Sequence, residues 1–187
     1  CVLCWDMKDF TPHRPGAPAT ETTPQVCLDC GCELTSATGH LCISHLVEVP
    51  QCIAECTGIR IFGRRIKSLV FTTDVAIIRN INADAVIAVY PFTPQPIITQ
   101  ALLLAADIPV FAGFGGGLTT GRRVTMLAGY AEVQGATAVV MNAPTSNEIL
   151  AEVAKVVDIP AIITIVNDHV DFQSRVEAGA SIFNVAA

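Results

Sequence analysis

Two acid–base candidates stand far apart in the chain, Asp74 in Thr72-Thr73-Asp74 and His169 in Asn167-Asp168-His169. A histidine titrates near neutral pH and a carboxylate accepts protons, so together they suit proton transfer on a small substrate. Each also has a plainer reading, a helix N-cap for Asp74 and an exposed loop residue for His169. Anion chemistry is offered by Gly115, Gly116 and Gly117, followed by Arg122 and Arg123. Glycines let backbone amides converge on a ligand, and the amides at a helix start favour negative charge. Two arginines in a first helical turn oppose the helix dipole, a conflict that a bound phosphate or carboxylate removes. The alternative is a glycine turn followed by two solvated arginines. Tyr90, Asn142, Asn167 and Asn184 can close a pocket or orient a substrate carbonyl or hydroxyl, and packing or turn formation explains them as well. Metal chemistry is offered by Cys1-x2-Cys4 and Cys27-x2-Cys30, a spacing that can wrap tetrahedral zinc. A second set, Cys42, His45, Cys52 and Cys56, is also conceivable.

Stricter motifs fail. A P-loop needs Lys and Ser/Thr after its last glycine, where Gly121 is followed by Arg122 and Arg123. A dinucleotide fingerprint needs a third glycine where Leu118 stands after Gly113 and Gly115. No nucleophile elbow, Ser/His/Asp order or zinc-protease helix is present.

The chain of 187 residues is 51% hydrophobic and 15% charged, enough apolar material for a large core. Its net charge of −6 argues against nucleic-acid binding, which calls for a basic face. No apolar run reaches the ~18 residues that cross a bilayer and no signal peptide opens the chain, so a cytoplasmic, non-membrane protein is expected.

All 8 cysteines fall between Cys1 and Cys56, which divides the chain near residue 60. Residues 1–60 lack periodicity and read as a Cys-rich segment that is zinc-binding, disordered or not native coding sequence. Residues 61–187 alternate apolar strands with helices. Strands are predicted at Ser68–Thr73, Ala85–Tyr90, Val110–Gly113, Ala138–Asn142, Ala161–Val166 and Ser181–Val185. The intervening helices are Val75–Asn80, one from Thr93-Pro94 through Ala106, Arg122–Gln134, Ile149–Val157 and Asp171–Ala178. Thr93, then Thr119 or Thr120, and the box Thr145-Ser-Asn-Glu148 are the expected N-caps. Asp107-Ile-Pro and Asp158-Ile-Pro lead into two strands, Gln134-Gly-Ala and Ala178-Gly-Ala into two others. Ile-Pro begins an extended segment, and Gly-Ala ends a helix.

Such a βα repeat implies parallel strands with right-handed crossovers, either a doubly wound sheet or a (β/α)8 barrel. Polar or glycine residues end every predicted strand, which describes a barrel rim on which all loops converge. A doubly wound sheet would gather them at its switch point. The expected fold is therefore an α/β TIM-type barrel, with strands in sequential order. A barrel needs at least ~200 residues. Residues 61–187 supply about six strands, so the sequence reads as truncated before strands seven and eight, with open edges at strands one and six through which copies can associate.

The stretches Leu69-Val-Phe-Thr-Thr-Asp74, Tyr90-Pro-Phe-Thr-Pro94, Phe114-Gly-Gly-Gly117 and Gly179-Ala-Ser-Ile-Phe-Asn184 carry a family likeness. The region 67–187 resembles ribulose-phosphate-binding barrels, and more closely a group of bacterial TIM-barrel proteins of uncertain activity, often labelled hydrolases. That resemblance implies an enzyme acting on a small phosphorylated or carboxylated metabolite by acid–base chemistry. A non-catalytic metabolite-sensing barrel and an FMN-dependent oxidoreductase barrel are the alternatives it leaves open.

Overall fold

The computed structural model describes residues 4–5, 47–115, 117 and 119–186. In chain order its elements are β1 (Cys4–Trp5), a 3-10 turn (Gln51–Glu55), and the strands β2 (Ile59–Ile61) and β3 (Arg64–Ile66). Then follow β4 (Leu69–Phe71), α1 (Val75–Asn80), β5 (Ala85–Ala88), α2 (Pro96–Ala105) and β6 (Val110–Gly115). The chain continues through α3 (Arg122–Gln134), β7 (Ala138–Met141), α4 (Asn147–Val156), β8 (Ala161–Ile165), α5 (Phe172–Glu177) and β9 (Ile182–Val185).

Strands β4 to β9 are all parallel and lie in sequence order, β4 beside β5 through β8 beside β9. A doubly wound sheet is excluded by that order, because it would insert a later strand between earlier ones. One expectation is corrected at the first edge. The first predicted strand is not open, since β1 pairs with it in parallel, Cys4 opposite Leu69 and Trp5 opposite Val70. The upstream chain thereby meets donors and acceptors that the edge would otherwise leave bare.

The sheet is curled. If flat, strands ~4.8 Å apart would hold β4 and β9 more than ~20 Å from one another. Instead Leu69 of β4 and Ile182 and Asn184 of β9 line one small cavity of about 10 Å3, with Ile87, Phe111 and Ile162 between them. Alternation along each strand sends Leu69, Ala85, Ile87, Phe111, Ala138, Val140 and Ile162 into this concave core. Ile61 and Ile66 of the antiparallel β2–β3 pair join them. The opposite side chains, such as Val86, Val110, Val139, Met141 and Ile163, meet the helices. Both sheet faces are therefore covered, which is why β5, β7 and β8 are buried throughout and apolar but for Thr164. Val47 and Val49 pack on the helix-side core, Val47 bridges to Ile81, and the Val49 amide donates to Asn82 Oδ1 at 2.7 Å.

Helix starts differ from the expected ones in three places. Pro96, not Pro94, occupies the first turn of α2 after Gln95, because the Gln95 amide is held by the Tyr90 hydroxyl at 2.8 Å. Gly121 precedes α3 with φ +60°, so neither Thr119 nor Thr120 is the cap. Ser146 rather than Thr145 caps α4, its hydroxyl accepting from the Ile149 amide at 3.4 Å. Thr145 is instead 3% exposed, with its amide turned to the Asn142 carbonyl at 3.0 Å.

At the opposite end of the strands, Asp84 ties β4 to β5. Its Oδ2 accepts the Lys67 and Ser68 amides at 2.8 and 3.0 Å. Desolvation raises its pKa, but these amides, the Ser68 hydroxyl and the Arg64 charge together outweigh that and hold it below its ordinary value of 3.8. A carboxyl lowered on folding contributes stability that is complete above its unfolded pKa and lost as pH falls through the folded one. Asp84→Ala should therefore cost about 1–2 kcal/mol at pH 7. In urea titrations the gap between wild type and variant should close as pH drops below the ordinary carboxylate range. A gap independent of pH would remove the ionised carboxylate as its source.

Candidate functional site

The carboxyl ends of the six sequential strands form one rim, and the expected site residues distribute along it. Asp74 follows β4 and caps α1, its Oδ1 accepting the Ala76 and Ile77 amides at 2.8 and 3.4 Å. Tyr90 follows β5 and fixes the start of α2 through the hydroxyl bond already described. Gly115 closes β6, and its carbonyl accepts the Asn142 amide at 2.9 Å, joining the β6 and β7 ends. Asn142 then turns the chain through its own carbonyl toward Thr145. After β8, Asn167 Oδ1 accepts the His169 amide at 3.1 Å and shapes that loop. Asn184 lies on β9, where its Nδ2 donates to Thr164 Oγ1 of β8 at 3.2 Å.

His169 and Asp74 stand at separate places on the rim. The His169 side chain is 91% exposed, and its Nε2 stands 3.6 Å from Asp168 Oδ1 in an exposed pair. Asp74 and His169 belong to strands with three others between them, β5, β6 and β7. Gly116, Cys1, Cys27 and Cys30 lie outside the described residues, as do Cys42 and His45 of the second set. Cys4 is placed only through the backbone of β1, and Cys52 and Cys56 are free thiols on the turn below the sheet.

The densest constellation is at β6 and β7. A Cβ on Gly115 would stand 3.0 Å from Val124 Cγ1, 3.4 Å from Met141 Cγ and 3.5 Å from Thr145 Oγ1. A side chain there would press Val124 back by a few tenths of an ångström, so glycine lets the first turn of α3 lie close against the β7–α4 loop. Arg122 and Arg123 are exposed at the positive end of this 13-residue helix. No carboxylate among the described residues forms an ion pair with either. Thr119 and Thr145 are each 3% exposed, and their hydroxyls have no hydrogen-bond partner among the described residues. A buried, unmet hydroxyl costs about 1–3 kcal/mol, so two of them flanking one helix start call for a reason.

Arg175 of α5, which sequence patterning did not single out, holds this region in place. Its Nη1 donates to the Thr145 carbonyl at 2.6 Å and to Asn147 Oδ1 at 2.9 Å, and its Nη2 to the Ala143 carbonyl at 3.2 Å. It lies about 30 residues from its partners in sequence, beyond any local motif. Thr164, the partner of Asn184, was likewise hidden inside an apolar strand. Thr145 did carry a signal, but as a helix cap.

No protein-family model matches this chain, and no curated protein matches it. Among solved structures it is similar to one described as "a putative phosphonomutase from Burkholderia cenocepacia J2315", with a TM-score of 0.47 and 13% identity. The likeness covers 62% of this chain and 60% of that one, so the chain spans about three fifths of that protein's length. The class defined here, an open barrel-like sheet of sequential parallel strands with helices outside, rests on strand order and register rather than on this likeness. No helix among the described residues is long and apolar enough to cross a membrane.

Proposed function

We propose that this chain is part of a TIM-barrel-type enzyme that binds a small phosphorylated or carboxylated metabolite at the rim, between the β6–α3 and β7–α4 loops. The observation carrying this reading is the placement of Arg122 and Arg123. They stand at the positive end of α3 with no carboxylate partner among the described residues, where an anion relieves their conflict with the helix dipole. Gly115 and Gly117 supply backbone that approaches a ligand closely. Tyr90, Asn142, Asn167 and Asn184 are assigned to the surrounding rim by their position at strand ends. Acid–base roles for Asp74 and His169 are proposed on the same positional ground.

Titration of the chain with sugar phosphates by calorimetry tests the proposal. Arg122→Ala or Arg123→Ala should weaken binding by about 1–3 kcal/mol, the range for losing a hydrogen bond to a charged group. Stability should stay equal or rise slightly, since an exposed cation at a helix start opposes the dipole. Equal affinities across the wild type and both variants would remove the arginines from the site.

A further inference from the structure

Helix α2 lies beside α3 on the outside of the sheet, and α3 beside α4. The outward faces of α2 and α3 depart from the polar face expected of a surface helix. Helix α2 contains no charged residue, and its Ile97 and Leu104 are 68% and 80% exposed. Beyond its first turn, the exposed residues of α3 are Met126, Tyr130 and Val133, spaced i, i+4, i+7 along one stripe. Val133 is 85% exposed and Met126 64%. Val156 of α4 extends the patch, more than half exposed and with its Cγ1 3.2 Å from where a Cβ on Gly129 would stand.

Six large side chains, each more than half exposed, offer on the order of 600 Å2 of apolar surface, close to the ~800 Å2 that one partner gives to a stable interface. That is also at the upper end for the largest patch on a monomer. The ends of the stripe are oppositely charged. Arg122 and Arg123 stand at one end. At the other, Asp158 is exposed where its amide meets Glu132 Oε1 at 2.7 Å, while Asp107, which follows α2, is already paired with Arg79.

We propose that this face is the interface of a two-fold homodimer, with α3 packed antiparallel against α3 of a second copy. An isologous contact requires a surface complementary to itself. Antiparallel stacking brings Asp158 of each copy toward Arg122 and Arg123 of the other, so the patch meets that requirement in polarity and in charge, and the dimer and the anion proposed above compete for the same two arginines. This assigns association to the helices and not to the open sheet edge at β9.

Sedimentation velocity on the full chain across a micromolar concentration series tests it. The wild type should sediment as a dimer. Val133→Glu and, separately, Leu104→Glu should each raise the dissociation constant at least about tenfold, because a charge would replace one of the most exposed apolar side chains that the contact covers. Asp158→Lys should weaken the dimer severalfold, while Val185→Lys on the β9 edge should leave it unchanged. Both glutamates replace exposed residues, so circular dichroism should match the wild type, and Leu104→Gln provides a milder variant if it does not. A monomer at all concentrations overturns the proposal, as does a dimer unmoved by Val133→Glu and Leu104→Glu or one dissociated by Val185→Lys. Indifference to Asp158→Lys overturns the antiparallel arrangement.

Discussion

Gly179→Ala should destabilise the chain by about 2–5 kcal/mol, whereas Gly135→Ala should cost only about 1–2 kcal/mol. The two glycines perform the same task. Each ends a helix in the left-handed region, Gly135 at φ +103° after α3 and Gly179 at φ +106° after α5. Each closes the same pair of bonds: the Gly135 amide reaches the Glu132 carbonyl at 2.9 Å and the Ala136 amide reaches Ala131 at 2.9 Å. For Gly179 the corresponding bonds run to Val176 at 2.9 Å and from Ala180 to Arg175 at 3.0 Å. Any side chain at either position bears the strain of a positive φ. They differ in surroundings. A Cβ on Gly135 would meet nothing within 4 Å, but one on Gly179 would stand 2.4 Å from Ala154 Cβ. That contact can be relieved only by moving α4 away from the end of α5. Urea denaturation of the two variants measures the steric share as the difference between them. Equal losses would show that α4 gives way freely and that only the backbone angle matters.

Phe111→Ala should cost about 3–5 kcal/mol, the range for truncating a buried aromatic residue. Phe111 has 0% exposure and sits on the concave face of β6, paired with Ile87 of β5 and Ala138 of β7. Its ring fills the space around which the sheet curls, beside Ile61 and Ile66 of the β2–β3 pair. Removing it leaves a cavity lined by strands that cannot close without changing their curvature. Phe92, in the loop before α2, is 69% exposed, and Phe92→Ala should stay within about 0.5 kcal/mol. Chemical denaturation of both variants compares them directly. A loss below about 1 kcal/mol for Phe111→Ala would mean that the concave core collapses around the gap and that curvature does not depend on this ring.

The order and kind of the elements from β4 to β9 are legible in the residue pattern, because those signals act over a few residues. Helices α1 and α3 begin and end where their patterning places them. The Gly-Ala pairs form the helix endings just described. The Ile-Pro pairs lead into β6 and β8, where the Pro109 and Pro160 carbonyls accept from Val86 and Val139 of the neighbouring strands at 2.9 and 3.0 Å. Strand ends rich in polar and glycine residues identified the rim for the same reason. What those rim residues touch depends on the packing of the loops. Gln95, Gly121 and Ser146 became the caps because the loops before them fix the backbone angles, and loop packing is not written in cap residues. Arg175 reaches the β7–α4 loop across some thirty residues, and Thr145 comes beside Gly115 only after β6 and β7 pair. His169 is exposed beside Asp168, and the apolar residues of α2 and α3 become one face only when the helices lie side by side. Local spacing records which residues share a turn or a strand face. It cannot record which turns and faces the curled sheet brings together.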